Sequence, residues 1–472
     1  MSTVCVVGSG FGGLAAAIAL KAEGHEVRIL ERADDLGGTW RDNVYPGCAC
    51  DVRSHLYSLS GELNPDWSRS FSGREEIQAY LQRVADKHAL RPLIRFGSHV
   101  VRQTWTGDGW RLECADGHEE TARFVVNAIG ALRDPRIPEL PGLGGFEGPT
   151  MHSAHWDSSV ELAGKRIGVV GTGASSIQVV PSICEAAAEV HVFQRTPAWV
   201  VPRGDRAYAE ATKWLFRTVP GLMALYRLAI YLEHELRYPL AFGHLGVVSR
   251  LFRWAMERRI RKVVPDRALA ERLTPSYQPG CKRILISDDW YPAMMRDDVR
   301  LHGAVDEVLA GGVRAGDEEI DLDVLVFCTG YRVDDPLGPM EVFGVDGRNL
   351  REVWSGRPQA HLGILMPGFP NAFGLLGPNT ALGHNSVVIM IEAQVRWLVQ
   401  AIAHAPEGVV DVRREVLDDF LADIDAAHTD QVWMSGCRSW YLNERGENFT
   451  IWPGSTLAYL WATRRFDPSI LA

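Results

Sequence analysis

An α/β fold of two three-layer units, the second with a helical insertion, is predicted from three observations. The chain carries two strand, glycine-turn, helix, strand runs; two apolar runs that each end in a glycine and enter a polar segment; and one stretch that breaks this rhythm. In the first unit Val4–Val7 is an apolar run, followed at once by Gly8-Ser9-Gly10-Phe11-Gly12-Gly13, then by an Ala/Leu-rich helical pattern from Leu14 to Glu23 that Gly24 stops. Val27–Leu30 is the next strand, and it ends at Glu31, 23 positions after Gly8. The second unit repeats the plan, with strand Arg166–Val170, turn Gly171-Thr172-Gly173-Ala174-Ser175-Ser176, helix Ile177–Cys184 and strand Val190–Phe193. Glycines at these spacings let a backbone turn approach a pyrophosphate and let helix pack on strand. The fold class is therefore α/β, with two Rossmann-like (three-layer) dinucleotide-binding domains.

The runs Phe124–Gly130 and Val324–Gly330 are read as places where the chain crosses between domains. Residues 1–141 with 331–472 are expected to form the first domain, and 142–203 with 279–330 the second. The aromatic and basic stretch 204–278 is the expected helical insertion; its run Arg258-Arg259-Ile260-Arg261-Lys262 is read as a solvated helix face, with contact to a membrane surface as the minority reading.

A length of 472 residues with 46% hydrophobic content suffices for several cores. The net charge of −10 argues against nucleic acid as a partner, which needs a positive field. Eight cysteines show no paired framework, and no basic segment precedes the first strand, so a cytoplasmic location is expected. Val219–Leu232 is apolar but interrupted by Arg227 and shorter than a span of about 20 residues, so no transmembrane segment is expected.

Glu31 can accept two hydrogen bonds from ribose hydroxyls and would repel a 2′-phosphate, which suits FAD in the first unit. At the equivalent position the second unit has Gln194, followed by Arg195 and Thr196. A guanidinium there suits the 2′-phosphate of NADPH, and Lys282 could add a second charge. Ser176 replaces the third glycine, so a hydroxymethyl must fit where helix meets strand.

Two further clusters carry a resemblance. Phe146, Gly148, His152 and Trp156 form the pattern Phe-x-Gly-x-x-x-His-x-x-x-Trp, and Gly38, Trp40, Tyr45, Pro46 and Asp51 form a second signature. With both, the chain resembles the type I Baeyer–Villiger monooxygenases, a branch of the class B flavin monooxygenases. The sister N- and S-oxidising branch has tyrosine-lysine where this chain has Trp156-Asp157.

The resemblance implies FAD and NADPH/NADP+ as cofactors, a ketone and O2 as substrates, and an ester or lactone as product, formed through a C4a-peroxyflavin, with sulfoxidation as a side activity. It implies that Arg283 is catalytic, stabilising the anionic oxidant, with Asp51 as its ion-pair partner. The implied cofactor contacts are Gly8, Gly10, Phe11, Gly13, Glu31, Gly38, Thr39, Trp40, Tyr45, Ala49, Cys50, Asp51, Tyr57, Val101 and Val387 for the flavin. For the nicotinamide cofactor they are Gly171, Thr172, Gly173, Ala174, Ser175, Ser176, Arg195, Thr196, Lys282 and Trp440. Phe146, Gly148, His152 and Trp156 are expected on the linker that couples the domains.

Three other readings stay open. A flavin disulfide reductase needs a redox dithiol, and Cys48-Ala49-Cys50 has neither common spacing. An N-hydroxylase of the sister branch and a flavin-binding redox protein without oxygen transfer are the others.

Overall fold

Apolar β-branched runs beside Ala-rich amphipathic segments give the first layers. In the computed structural model, which describes residues 2–242, 246–437 and 439–472 and no side chain between 237 and 248, the chain runs β1 (Thr3–Val7), α1 (Phe11–Ala22), β2 (Glu26–Leu30), α2 (Thr39–Asp42), α3 (Arg74–Lys87) and β3 (Ile94–Arg95). A meander follows, β4 (Val100–Trp105), β5 (Trp110–Cys114) and β6 (Glu119–Ala122), before β7 (Phe124–Asn127) returns to the first sheet. The second unit comprises β8 (Thr150–His152), β9 (Arg166–Val170), α4 (Ser176–Ile183), β10 (Glu189–Phe193) and the short β11 (Val200–Val201). Four helices come next, α5 (Glu210–Thr218), α6 (Leu222–Phe242), α7 (Gly246–Val263) and α8 (Arg267–Leu273). Then come β12 (Leu285–Ile286), α9 (Trp290–Met294), β13 (Val299–His302), the meander β14 (Glu307–Leu309), β15 (Gly312–Ala315) and β16 (Glu318–Asp321), and β17 (Val324–Phe327). The chain closes with β18 (Glu341–Phe343), α10 (Leu350–Val353), β19 (Ala372–Gly374), α11 (Val387–His404), α12 (Arg414–His428) and α13 (Thr456–Ala462).

Both main sheets are parallel and follow one plan. Their orders are β19-β7-β1-β2-β3 and β13-β10-β9-β17-β8, so β1, β2 and β7 correspond to β9, β10 and β17. The correspondence extends to single hydrogen bonds. Gly8 N donates to Leu30 O at 2.8 Å and Ala128 N to Val7 O at 2.9 Å; Gly171 N donates to Phe193 O and Cys328 N to Val170 O, each at 2.9 Å. Gly8 and Gly171 have φ of +100° and +107°, and a Cβ on either would lie 2.6 Å from the carbonyl oxygen of Ala128 or Cys328. Only glycine fits there. The apolar runs read as crossing points thus end against the two glycine turns.

The outermost position, held by β19 in the first sheet, is held in the second by β8, which precedes β9 in the chain. His152, expected on the segment that couples the domains, therefore lies at the end of an edge strand of the second sheet. Pro141 is already bound to that domain, its carbonyl accepting from Val308 N at 2.8 Å.

Helix α11 is by length and composition apolar enough to cross a membrane, yet it is the central core helix: it packs on α1 and α13 and buries eleven side chains, including Trp397 and Leu398. The expectation of unpaired cysteines is corrected, because Cys281 and Cys437 form a disulfide across 156 positions. Sequence spacing does not reveal partners that distant.

Burial pushes the rings of His55, His152, His361 and His428 each down to about 4. These rings stay neutral in the fold while the unfolded chain takes up protons near 6.5, so their contribution is complete above pH 6.5 and is lost as pH falls from 6.5 towards 4. Asp411, pushed up to about 6 by burial, acts with the opposite sign between 3.8 and 6, but it is one group against four. The melting temperature is expected to be lower at pH 5 than at pH 7.5 by about 5 °C or more. Equal melting temperatures in a calorimetric comparison would contradict this account.

Candidate active site

The first site forms where the strand order reverses, at the carboxyl ends of β1 and β7. A cavity there is lined by Gly8, Gly10, Phe11, Glu31, Gly38, Thr39, Trp40, Tyr57 and Val387, all expected from the sequence. Gly13, in the first turn of α1, packs against the glycine turn, where a Cβ would meet Gly8 O at 1.9 Å. Glu31 is buried at the end of β2; its Oε2 accepts from Ser9 N at 2.8 Å and from Ser9 Oγ at 2.6 Å, and its Oε1 from Arg41 Nη1 at 2.9 Å. At the other end Tyr57 packs edge-on against Phe11 and Trp40, with centroids 5.0 and 5.6 Å apart. Val387 opens α11, and the preceding Ser386 caps that helix by accepting from Val388 N at 3.3 Å. An elongated dinucleotide fits this cavity, with a buried carboxylate at one end and a helix N-terminus and aromatic rings at the other.

Val101 is not among the lining residues, whereas its neighbours Val100, His99 and Ser98 are. Successive side chains of a strand face opposite ways, so a shift of one residue changes the face. Sequence reasoning also missed Arg32 and Arg41, which neighbour Glu31 and Trp40, and Arg133, Leu375 and Ile391, which come to the cavity from distant segments.

The second signature bridges the two domains. Tyr45 Oη donates to Gln178 Oε1 at 2.9 Å and Gln178 Nε2 donates to Ala49 O at 2.9 Å, tying this segment to α4. The Cys50 amide donates to Ser72 O at 3.0 Å and its carbonyl accepts from Arg203 Nη2 at 2.9 Å, so the residue before Asp51 is held at both ends.

Arg283 meets Asp51 across 232 positions. Its Nε and Nη2 donate to Asp51 Oδ2 at 2.8 and 2.5 Å, and Nη1 reaches Leu382 O at 3.4 Å. The Asp51 charge raises the guanidinium above its ordinary value despite desolvation, so it is a permanent cation. The side chains are 30% and 36% exposed. The position of Arg283 follows from β11 and β12, which pair at the base of the four-helix stretch: Leu285 N donates to Trp199 O at 2.8 Å and Ser287 N to Val201 O at 2.9 Å.

Near the Cys281–Cys437 crosslink two adjacent aromatic residues differ in burial. Trp440 is 40% exposed, whereas Tyr441 is 1% exposed and its hydroxyl, pushed up to about 12 by burial, interacts with the charges of Arg283 and Asp51. Arg438, in the segment read with Trp440, lies outside the described residues.

In the second unit Thr172 Oγ1 donates to Thr196 O at 2.9 Å, closing the loop that holds Gly173, Ala174 and Ser175. Ser176 opens α4 fully buried, with its Oγ unpartnered, so the hydroxymethyl fits but its hydroxyl gains nothing there. Gln194 turns away and donates to Arg272 O at 2.8 Å. Lys282 lies 4.9 Å over the Tyr277 ring, and its ammonium is lowered first by burial and then by the charge of Arg195. Two cations from separate loops, close enough for one to lower the other, suit a phosphate monoester.

The fingerprint joins the domains. The Phe146 ring folds over Gly148, where a Cβ would lie 2.8 Å from that ring and 2.4 Å from Asp323 O. His152 Nδ1 accepts from Ala154 N at 3.0 Å; its ring meets Tyr331 edge-on at 6.1 Å, and Tyr331 Oη donates to Asn43 Oδ1 at 2.8 Å. Trp156 lines a cavity of about 270 Å³ with Arg32, Asn43 and Tyr331.

Two dinucleotide cradles facing one arginine–aspartate pair define a flavin- and nicotinamide-dependent oxidoreductase. The family described as "FMO-like: Flavin-binding monooxygenase-like" matches residues 1–343. Two relatives named Baeyer-Villiger monooxygenase are similar over nearly the whole chain. One from Streptomyces coelicolor is 43% identical, covering 98% of this chain and 91% of its own; one from Pseudomonas aeruginosa is 40% identical, covering 99% and 90%. Among solved structures, an oxidized steroid monooxygenase bound to NADP has a TM-score of 0.87 at 30% identity, covering 98% of this chain and 97% of its own. The cyclohexanone monooxygenase from Rhodococcus sp. Phi1 bound to NADP+ has a TM-score of 0.86 at 28% identity, with coverage of 98% and 96%. The chain belongs to the Baeyer–Villiger monooxygenases of the flavin-binding monooxygenase-like family.

Proposed function

We propose that the protein is an FAD-dependent, NADPH-consuming monooxygenase that converts a ketone, O2, NADPH and a proton into an ester or lactone, NADP+ and water. The observation that carries this reading is the Arg283–Asp51 pair, held between two cradles of different charge character. FAD supplies the two-electron chemistry that activates O2. The protein's residues supply the rest. The turn at Gly8 and Gly10 receives the flavin pyrophosphate and Glu31 serves its ribose end, while Gly171–Ser176 receives the second pyrophosphate. Arg195 and Lys282 select the 2′-phosphate. Arg283 holds a positive charge at the reacting oxygen without being able to give up a proton, and Asp51 keeps its fork oriented. Tyr441 shields the pair from one side. The Gln178–Tyr45 hydrogen bond and the His152–Tyr331 ring contact keep the two domains in register.

Cys48 and Cys50 do not support a dithiol mechanism: both are buried, and burial pushes the Cys48 thiol up to about 11 and that of Cys50 higher still. Trp156 favours ketone oxidation over the sister branch's N-hydroxylation. We place the enzyme in the cytoplasm, where NADPH is supplied. Holoenzyme given NADPH, isotopically heavy O2 and a panel of cyclic, linear, aromatic and steroidal ketones is expected to yield esters carrying one heavy oxygen, read by mass spectrometry. Consumption of NADPH with hydrogen peroxide as the only oxygen product throughout the panel would overturn the reading.

A further inference from the structure

Helix α6 has two unlike faces. Its inner face is tied to the first domain: Ile230 is buried, Arg227 Nη1 donates to His55 O at 2.8 Å, and Arg53 Nη1 pairs with Glu233 Oε2 at 2.7 Å. Arg227, the charge that interrupts the apolar run in the sequence, thus points inward. What remains outside is an uninterrupted stripe of Leu225, Leu228, Leu232 and Leu236, at helical spacing and 47% to 74% exposed. The flanking helices continue this character. Trp214 and Leu215 are exposed on α5, as are Leu251 and Trp254 on α7, which packs against α6. Exposed large apolar side chains concentrated in this way mark an interaction surface.

Charge identifies the occupant. Between Lys213 and Lys262 the sequence carries ten Lys/Arg against three Glu, in a chain whose net charge is −10. Arg258, Arg259, Arg261 and Lys262 are exposed at the end of α7, and Arg258 lies 5.5 Å over the Trp254 ring. Leucine beside tryptophan beside arginine is the order of layers from acyl chain to interface to anionic headgroup. Helix α5 and the described part of α6 are together as apolar as a membrane span, but they meet at 111°. That bend suits helices lying on a leaflet rather than crossing it.

We propose that the α5–α7 region docks the enzyme peripherally on an anionic lipid surface, with the α6 leucine stripe inserted among the acyl chains and the α7 cations over the headgroups. Docking brings the enzyme to apolar substrate dissolved in the bilayer, and it is independent of the reaction assigned above.

The test uses FAD-loaded full-length protein sedimented with vesicles of equal parts phosphatidylglycerol and phosphatidylcholine, and with vesicles of phosphatidylcholine alone. The wild type is expected to partition at least 10-fold more onto the anionic vesicles. The double variant Leu225→Glu/Leu232→Glu is expected to lose at least 10-fold of that binding while keeping its flavin absorbance and its turnover of a water-soluble ketone. Arg258→Ala/Arg261→Ala/Lys262→Ala is expected to lose binding to the anionic vesicles only. Failure of the wild type to sediment with anionic vesicles, or unchanged binding by the leucine variant, would overturn the proposal. So would light scattering that shows a wild-type dimer which the leucine variant breaks, because a second copy of the chain would then cover the stripe.

Discussion

Replacing Arg283 by alanine is expected to abolish ester formation while leaving flavin reduction by NADPH within a few fold of wild type. The guanidinium is a permanent cation that Asp51 fixes with two hydrogen bonds, placed to stabilise a developing oxyanion. Removing one preorganised donor from such a site lowers turnover by about 10²- to 10³-fold. The loss here should reach or exceed that range, because a full charge leaves and Asp51 is left without its partner. Hydride transfer to the flavin needs the nicotinamide cradle but not an anion stabiliser, so anaerobic bleaching of the flavin should persist. Arg283→Lys is expected to recover little, since a point charge on a flexible stem does not reproduce a fork oriented by one carboxylate oxygen. Rapid-mixing absorbance for the reductive step and product mass spectrometry for the oxidative step separate the two effects. Ester formation retained by Arg283→Ala would remove the role assigned to it.

The second large effect concerns coenzyme choice. Arg195→Ala is expected to raise the KM for NADPH by about 10- to 100-fold, the range for losing a charge-assisted hydrogen bond, and to change that for NADH by less than about 3-fold. Lys282→Ala should act in the same direction. Its ammonium is lowered by burial and by Arg195, and a phosphate dianion placed between the two cations relieves both costs. The double variant should approach equal use of the two coenzymes. Equal loss with NADPH and NADH in steady-state kinetics would show that the two residues serve the shared part of the cofactor and not its 2′-phosphate.

Much of the site was legible because its parts are local. The swap from Glu31 to Gln194-Arg195 sits at the end of matching strands, and strand periodicity with glycine spacing places it without knowledge of the fold. Of the nine cavity-lining residues expected, Gly8, Gly10, Phe11 and Glu31 belong to the first strand–turn–helix–strand unit, whereas Gly38, Thr39, Trp40, Tyr57 and Val387 rested on the family resemblance. Tyr441, Gln178 and the Cys281–Cys437 crosslink were not. Each depends on segments more than a hundred positions apart meeting, and nothing in the residues beside them encodes the partner. That Val100 and not Val101 lines the cavity turns on one step of backbone direction, which composition does not carry.

By itself, the sequence determined two dinucleotide units of unlike charge preference, because hydrogen-bonding periodicity and side-chain charge act over a few residues, and it carried the two signatures on which the resemblance to oxygen-transferring flavoenzymes rests. Only the tertiary structure decided that His152 of the fingerprint ends an edge strand of the second sheet. It also decided that Arg227 faces inward and leaves a leucine stripe outside, and that Asp51 reaches Arg283 across 232 positions. Those outcomes depend on which surfaces are removed from water together, and that is a property of the whole packed chain.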